Sequence, residues 1–327
     1  MPDRGVGDLM WHLPTVRAIA ATTTEDSVVL AARPTTRAAG LLATEPSVSQ
    51  VAELVYHRGA LRNLREMADF YRLCRRLRPR AVWILEKIGR PAQAAALAGV
   101  PVRHGFGLGH ASQERWLSPG PRLPKSMRPR HRIEKLAAFE ALHGLTVASR
   151  EPALRVDPRQ VDAIAARFAD RPKPWVVFGL GSVDAHRRWP PGHFAGLADA
   201  LHGWAGTIFW LGGPDEHGMI AAGMQGLIHP EDSVLSSDLK LDAAAALMAQ
   251  SAVFLGNDSG PMNLAAAVGI PTVGLYGASQ PLTYSRWLSA LTSPTGDLKD
   301  IAPEQAAEAV RQALSAPLPS SRPTAPN

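Results

Sequence analysis

Residues 253–277, VFLGNDSGPMNLAAAVGIPTVGLYG, restrict the possible folds more than any other stretch of the chain. Val253, Phe254 and Leu255 form a short apolar run closed by Gly256, Asn257, Asp258, Ser259 and Gly260, residues that tolerate tight backbone and offer oxygens to a helix start. Pro261 fits the first turn of that helix, where a missing N–H costs nothing, and Ser259 or Gly260 is the expected N-cap. Met262, Leu264, Ala265 and Ala266 carry the helix to Gly269, a natural C′ residue, and Pro271 prevents continuation. Residues 272–276 read as a second strand, so strand, helix and strand imply a parallel pair with a right-handed crossover. Ligands of such sheets sit beyond the carboxyl ends of the strands, at helix N-termini. Asn257, Asp258, Ser259 and Gly260 fall there and form the first candidate site.

With 327 residues, 46% apolar and 20% charged, the chain suits one large or two ordinary globular domains. No run of about 18 apolar residues exists and the N-terminus lacks the apolar core of a signal peptide, so a cytoplasmic location is expected. The single Cys74 excludes an internal disulfide and a cysteine-rich metal site. The net charge of +6, mostly from arginine, fits an anionic partner such as a nucleotide phosphate, a phosphorylated lipid or nucleic acid. An Ala-, Arg- and Pro-rich composition of the GC-rich kind yields part of that excess without any partner.

Gly5-Val6-Gly7-Asp8 opens a helical pattern through Leu9, Leu13, Val16 and Ile19, with Pro14 predicting a distorted first turn. Asp8 there is either a ligand-facing carboxylate or a helix N-cap. Strands are expected at 27–31, 51–56, 81–85 and 102–106, and helices at 35–42, 61–77 and 91–98, the alternation of a doubly wound α/β domain. The helix at 61–77 aligns Leu61, Leu64, Met67, Phe70, Tyr71, Cys74 and Leu77, read as a core stripe. Residues 107–132 are loop-like and carry Arg122, Lys125, Arg128, Arg130 and Arg132, either a clamp for an acidic acceptor or a solvated loop. A helix at 133–145 closes the first domain.

A second α/β unit starts with a strand at 175–178 and the turn Gly179-Leu180-Gly181-Ser182. The third glycine of a dinucleotide-binding fingerprint is replaced by Asp184, and no P-loop pattern occurs, which speaks against a nicotinamide enzyme or a P-loop NTPase. What remains is a turn that approaches phosphates, with Arg187 and Arg188 as charge-assisted donors or as plain surface residues. Pro191 opens a helix through Phe194, Leu197 and Leu201. A strand at 207–211 ends in Gly212-Gly213-Pro214-Asp215-Glu216, where the Glu216 carboxylate is placed to accept ribose hydroxyls. Helices are expected at 241–248 and 302–314, and 317–327 reads as a disordered tail.

Three separated pieces, GDLMWHLPTVRAI, GSVDAHRRWPPGHFAGLADAL and GNDSGPMNLAAAVGIPTVGLYG, together resemble glycosyltransferase family 9, the lipopolysaccharide heptosyltransferases. The resemblance implies the GT-B architecture, α/β with two facing doubly wound, Rossmann-like domains of mainly parallel sheet. These are expected at 1–155, on the acceptor side, and 156–316, on the nucleotide-sugar side. It implies an inverting, metal-independent transfer of heptose from ADP-heptose to a lipopolysaccharide inner-core acceptor, an anionic lipid, with peripheral contact at the membrane face. Neither a cofactor nor nucleic acid is implied. Asp8 matches the catalytic base, Ser182 and Arg187 the phosphate-contacting positions, Glu216 the ribose carboxylate, and Asp258, Ser259 and Gly260 the donor-binding turn. No Asp-x-Asp occurs, in keeping with a donor held without metal. Asn263 stands where the family usually has histidine, which leaves another nucleotide sugar open as donor. The family also begins with an apolar strand before the Gly-Asp turn, whereas Met1 to Arg4 alone precede it here, so a start further upstream is expected. A nucleotide-sugar epimerase and a non-catalytic relic are the remaining alternatives.

Overall fold

The computed structural model describes residues 5–55, 57–282 and 284–315. Residues 1–4, ahead of which the family's first strand was expected, and the expected tail at 317–327 lie outside the described residues. In chain order the elements are α1 (Val6–Ala20), β1 (Val28–Ala32), α2 (Ala38–Leu41), β2 (Val48–Glu53), α3 (Arg62–Leu77), β3 (Ala81–Ile84), α4 (Arg90–Leu97), β4 (Val102–Gly105), α5 (Ala111–Glu114) and α6 (Arg132–Leu142). There follow α7 (Pro158–Arg167), β5 (Trp175–Gly179), α8 (Pro191–Ala200), β6 (Thr207–Leu211), α9 (His217–Met224) and β7 (Ser233–Ser236). The chain closes with α10 (Leu241–Ala249), β8 (Val253–Asn257), α11 (Gly260–Val268), β9 (Thr272–Tyr276), β10 (Leu288–Thr292) and α12 (Pro303–Ser315).

The chain divides into two compact units. The first holds the described residues through Ala39 together with Glu45–Ser149; the second holds Gly40–Thr44 and the described residues from Arg150 onward. The second unit thus begins ahead of the expected break after residue 155, because residues 151–154 are bonded into it. The Glu151 carboxylate accepts from the Ser285 hydroxyl and the Arg286 N–H, each at 2.7 Å, and Leu154 N donates to Ala267 O at 2.7 Å.

The second unit is built on a six-stranded, all-parallel sheet in the order β10-β9-β8-β5-β6-β7. Strands β5, β6, β8 and β9 are buried along their whole length, which is why they read as unbroken apolar runs rather than alternating ones. On one face Phe178, Trp210 and Leu255 pack with Trp189, Phe194 and Leu197; on the other Trp175 and Phe209 meet Phe168 edge-on. From β5 the chain proceeds outward to β6 and β7, then returns to lay β8 on the opposite side of β5. The winding reverses there, so the carboxyl ends of β5 and β8 open a crevice where such sheets bind ligands. Gly179 stands in register with Gly256 on one side and Leu211 on the other, aligning the three turns that follow.

In the first unit the described strands form two separate parallel pairs, β1 with β2 and β3 with β4. Helix α1 packs on both: Ala18 and Ile19 share one core cluster with Leu85, Phe106 and Phe139, and Val28 of β1 and Trp83 of β3 pack against it. Three sequence expectations change here. Helix α1 runs without interruption through Pro14 instead of distorting its first turn, because twelve of its residues are buried and that packing outweighs the lost backbone bond. The helix expected at 35–42 is broken by Arg37, in the left-handed region at φ 53°, into a 3₁₀ turn and the short α2. Helix α3 forms where expected, but of its stripe Cys74 alone is fully buried, and Leu61, Leu64 and Tyr71 are exposed.

Candidate active site

At the carboxyl edge of the second sheet, β5 ends in Gly179 and continues through Gly181 and Ser182 to a 3₁₀ turn at Ala185–Arg187. Arg188 Nε donates to the Ser182 carbonyl at 2.8 Å, folding this loop back on the strand end, and the Ser182 side chain is buried beneath it. Arg187 Nη1 lies 2.9 Å from Asp258 Oδ2, so the guanidinium bridges from the loop after β5 to the turn after β8. Asp258 is also close enough to Tyr276 for its charge, after burial, to push the Tyr276 hydroxyl upward from its ordinary pKa.

Ser259 is the N-cap residue of α11, yet its side chain makes no cap bond and its buried Oγ has no hydrogen-bond partner. Gly260 and Met262 supply N–H groups at this helix end that no intrahelical carbonyl can take, and Pro261 has none to supply. The helix dipole adds partial positive charge at the same point, next to the Arg187 guanidinium. A carboxylate, an arginine, an unpartnered hydroxyl and a helix N-terminus therefore meet at one place, an arrangement suited to a polyhydroxylated anion.

Glu216 belongs to the third turn, after β6. Its Oε2 accepts the Gly213 N–H at 2.8 Å, and its carboxylate lies directly over Gly181, where a Cβ would collide with both oxygens. A side chain at Gly181 would displace this carboxylate, so Gly181 leaves room for Glu216 to join the turn after β5 to the turn after β6.

Two candidates are occupied by structure instead of facing outward. Asn257 is completely buried: its Oδ1 accepts Trp189 N–H at 2.9 Å and its Nδ2 donates to Leu180 O at 2.7 Å, clamping the Arg187-Arg188-Trp189 segment onto the strand ends. Asn263 Nδ2 donates to Ser259 O at 2.8 Å and its Oδ1 accepts from the Tyr284 hydroxyl at 2.7 Å, so it steadies the start of α11. Trp189, whose indole N–H donates to Ile301 O at 3.0 Å, is the buried anchor of that loop. Sequence reasoning did not single out Trp189, whose main-chain bond to Asn257 joins residues far apart in the chain.

In the first unit Asp8 lies in the first turn of α1, partly exposed, with Arg132 Nε 3.9 Å from its Oδ1. His12, one turn on, is fully buried; its Nδ1 is 2.6 Å from Asp8 O and its Nε2 3.3 Å from Leu85 O. Burial, with a smaller push from the Arg132 charge, lowers His12 to about 3, so it is neutral and its single proton serves the shorter contact to Asp8 O. With its proton on Nδ1, His12 bonds back within its own helix to Asp8 O, while its unprotonated Nε2 only packs against the Leu85 carbonyl just after β3. Lys135 is held below its ordinary pKa first by burial and then by the charges of Arg132 and Lys87, and His131 by burial with Arg132 and Lys135 adding to it. Asp8 therefore stands at the rim of a cationic cluster. Of the basic loop residues, Arg132 joins that cluster, whereas Arg128 spends Nε and Nη2 on the carbonyls of Leu108 and Gly109, both at 2.7 Å.

The family model of glycosyltransferase family 9 (heptosyltransferase) matches residues 71–306. Lipopolysaccharide heptosyltransferase 3 of Escherichia coli is 27% identical over 115 residues, 35% of this chain; the chain spans only about a third of that relative's length, 34%. Lipopolysaccharide heptosyltransferase 2 of Salmonella typhimurium is 26% identical over 258 residues, 74% of this chain and 72% of the relative. Among solved structures, E. coli ADP-heptose lps heptosyltransferase II superimposes with a TM-score of 0.77 at 22% identity, covering 96% of this chain and 97% of the other, a likeness of fold.

Proposed function

The chain belongs to glycosyltransferase family 9, with the GT-B fold, and from that premise we propose that it is an inverting heptosyltransferase carrying heptose from ADP-heptose to an anionic inner-core acceptor. The observation that carries this reading is the convergence of Arg187, Asp258, Ser259 and the N-terminus of α11 at the point where the second sheet reverses its winding. A nucleoside diphosphate needs positive charge on its leaving oxygens, and a guanidinium beside free helix N–H groups supplies it. Asp258 holds sugar hydroxyls, Glu216 the ribose, and Asn257 and Asn263 position these groups without touching the donor.

Asp8 takes the proton of the acceptor hydroxyl as that oxygen bonds to the anomeric carbon, while the bond from this carbon to the diphosphate breaks and ADP leaves with the electron pair. The cluster of Lys87, Arg132 and Lys135 favours an acceptor that brings negative charge to Asp8. The three side chains among the described residues whose ligand atoms group as for a metal, His202, His229 and Glu231, lie near the amino ends of β6 and β7, the edge opposite the donor groups.

The donor is tested by offering ADP-heptose, an ADP-hexose and a UDP-hexose in parallel with a deep-rough acceptor and following nucleotide release and the anomeric configuration of the product. Turnover confined to ADP-heptose with inversion is expected. Turnover with a hexose donor alone, or retention of configuration, would overturn the reading.

A further inference from the structure

Residues 58–80 contain eight arginines against Glu66 and Asp69, a surplus of six that equals the net charge of the whole chain, +6. The rest of the sequence is balanced, so the basic excess is local and not a uniform bias of composition. Helix α3 carries most of it. Its inner side is half-buried, with Met67, Phe70, Leu73 and Leu77 around the buried Cys74. Its outer side keeps Leu61 at its start 58% exposed, Leu64 57% and Tyr71 37%. At helical spacing these three share about a third of the circumference with Arg65, Arg72 and Arg75. Arg72 pairs with Asp69, but among the described residues Arg62, Arg65, Arg75 and Arg76 make no ion pair, and all are exposed.

We propose that this outer face of α3 docks on an anionic lipid surface. Leucines left in water beside unpaired arginines are the composition of a helix that lies in the headgroup boundary, apolar side chains inserted and guanidinium groups on lipid phosphates. The same charge attracts nucleic acid, on which Tyr71 offers one stacking ring, but Leu61 and Leu64, the most exposed apolar side chains of this face, gain nothing from a polyphosphate chain, whereas the acyl boundary buries them. A second copy of the chain would bring like charge against like. The proposal deepens the transferase reading by naming the surface where a lipid-borne acceptor is met, although its argument from charge and exposure rests on α3 alone.

The test is co-sedimentation with vesicles of phosphatidylcholine and with vesicles in which about a third of the lipid is phosphatidylglycerol, each basic side chain near such a surface being worth about fivefold in partitioning. The wild-type chain is expected to partition at least about tenfold better onto the anionic vesicles and to lose that preference as salt rises. R62Q/R65Q/R75Q/R76Q is expected to lose at least about tenfold, and L61S/L64S several-fold at unchanged charge, with far-ultraviolet dichroism and Tm preserved in both. Transfer to a deacylated, water-soluble acceptor should persist in both variants. Equal or absent partitioning of the wild type onto the two vesicles, variants that bind as wild type, or an oligonucleotide competing with vesicles for a site indifferent to L61S/L64S would each overturn the proposal. Vesicle binding without transfer would instead count against the enzyme reading and leave this one standing.

Discussion

Asp8, Asp258 and Asn257 are three short polar side chains near strand ends or helix starts, yet their surroundings give them different tasks. Asp8 is half-open and faces a cationic rim, so Asp8→Ala is expected to cut turnover by about 10²–10⁴, the range for loss of a general base, with ADP affinity within a few-fold. Isothermal titration with ADP beside a transfer assay checks this; a folded variant that has lost ADP would remove Asp8 from the base role. Asp258 pairs with Arg187, and its proposed role as a holder of the donor sugar predicts that Asp258→Ala raises the donor KM; an unchanged KM would contradict that assignment. Asn257→Ala leaves a buried N–H and a buried carbonyl unpaired, at a cost of roughly 1–3 kcal/mol in urea unfolding. His12 gives a pH signature. Folded, it titrates near 3; unfolded, near its ordinary value, so below about pH 6.5 the unfolded chain binds a proton that the native one refuses. Stability from His12 is complete above that pH and declines toward pH 3 by at most about 1.4 kcal/mol per unit, a slope that His12→Asn should flatten.

Among the elements, those buried on both sides were the most legible. Strands β5, β6, β8 and β9 and helices α8, α10 and α11 were expected within a residue or two, because each is an apolar run or an apolar face closed by Gly, Pro or a cap residue. Helix α9 and strands β7 and β10 were not: β10 is partly exposed, and α9 is a short helix of Gly, Ala and Met that follows a turn without a strong boundary. Periodicity alone also assigned the Leu61, Leu64 and Tyr71 edge of α3 to the core, since a stripe facing lipid and a stripe facing protein have the same spacing. Of the candidate site, the turn residues were legible from their type and place, whereas the bond from Asn257 to Trp189 was not, because it joins partners that only the folded chain brings together.

For the molecule as a whole, the alternation of strand and helix gave two α/β units, but the boundary fell earlier than composition suggested, where Glu151 and Leu154 are bonded into the second unit. In the first unit two strand pairs lie under one helix without joining among the described residues, and both β1 and β3 contribute to the cluster around Ile19. The central claim is that ADP-heptose is consumed only when an acceptor is present. ADP release should be measured from ADP-heptose with and without a deep-rough lipopolysaccharide acceptor, in the wild type and Asp8→Ala, both first shown to bind ADP. Release that requires both the acceptor and Asp8 is the predicted result. Release without acceptor, or none from a wild-type chain that binds ADP and acceptor, would contradict it.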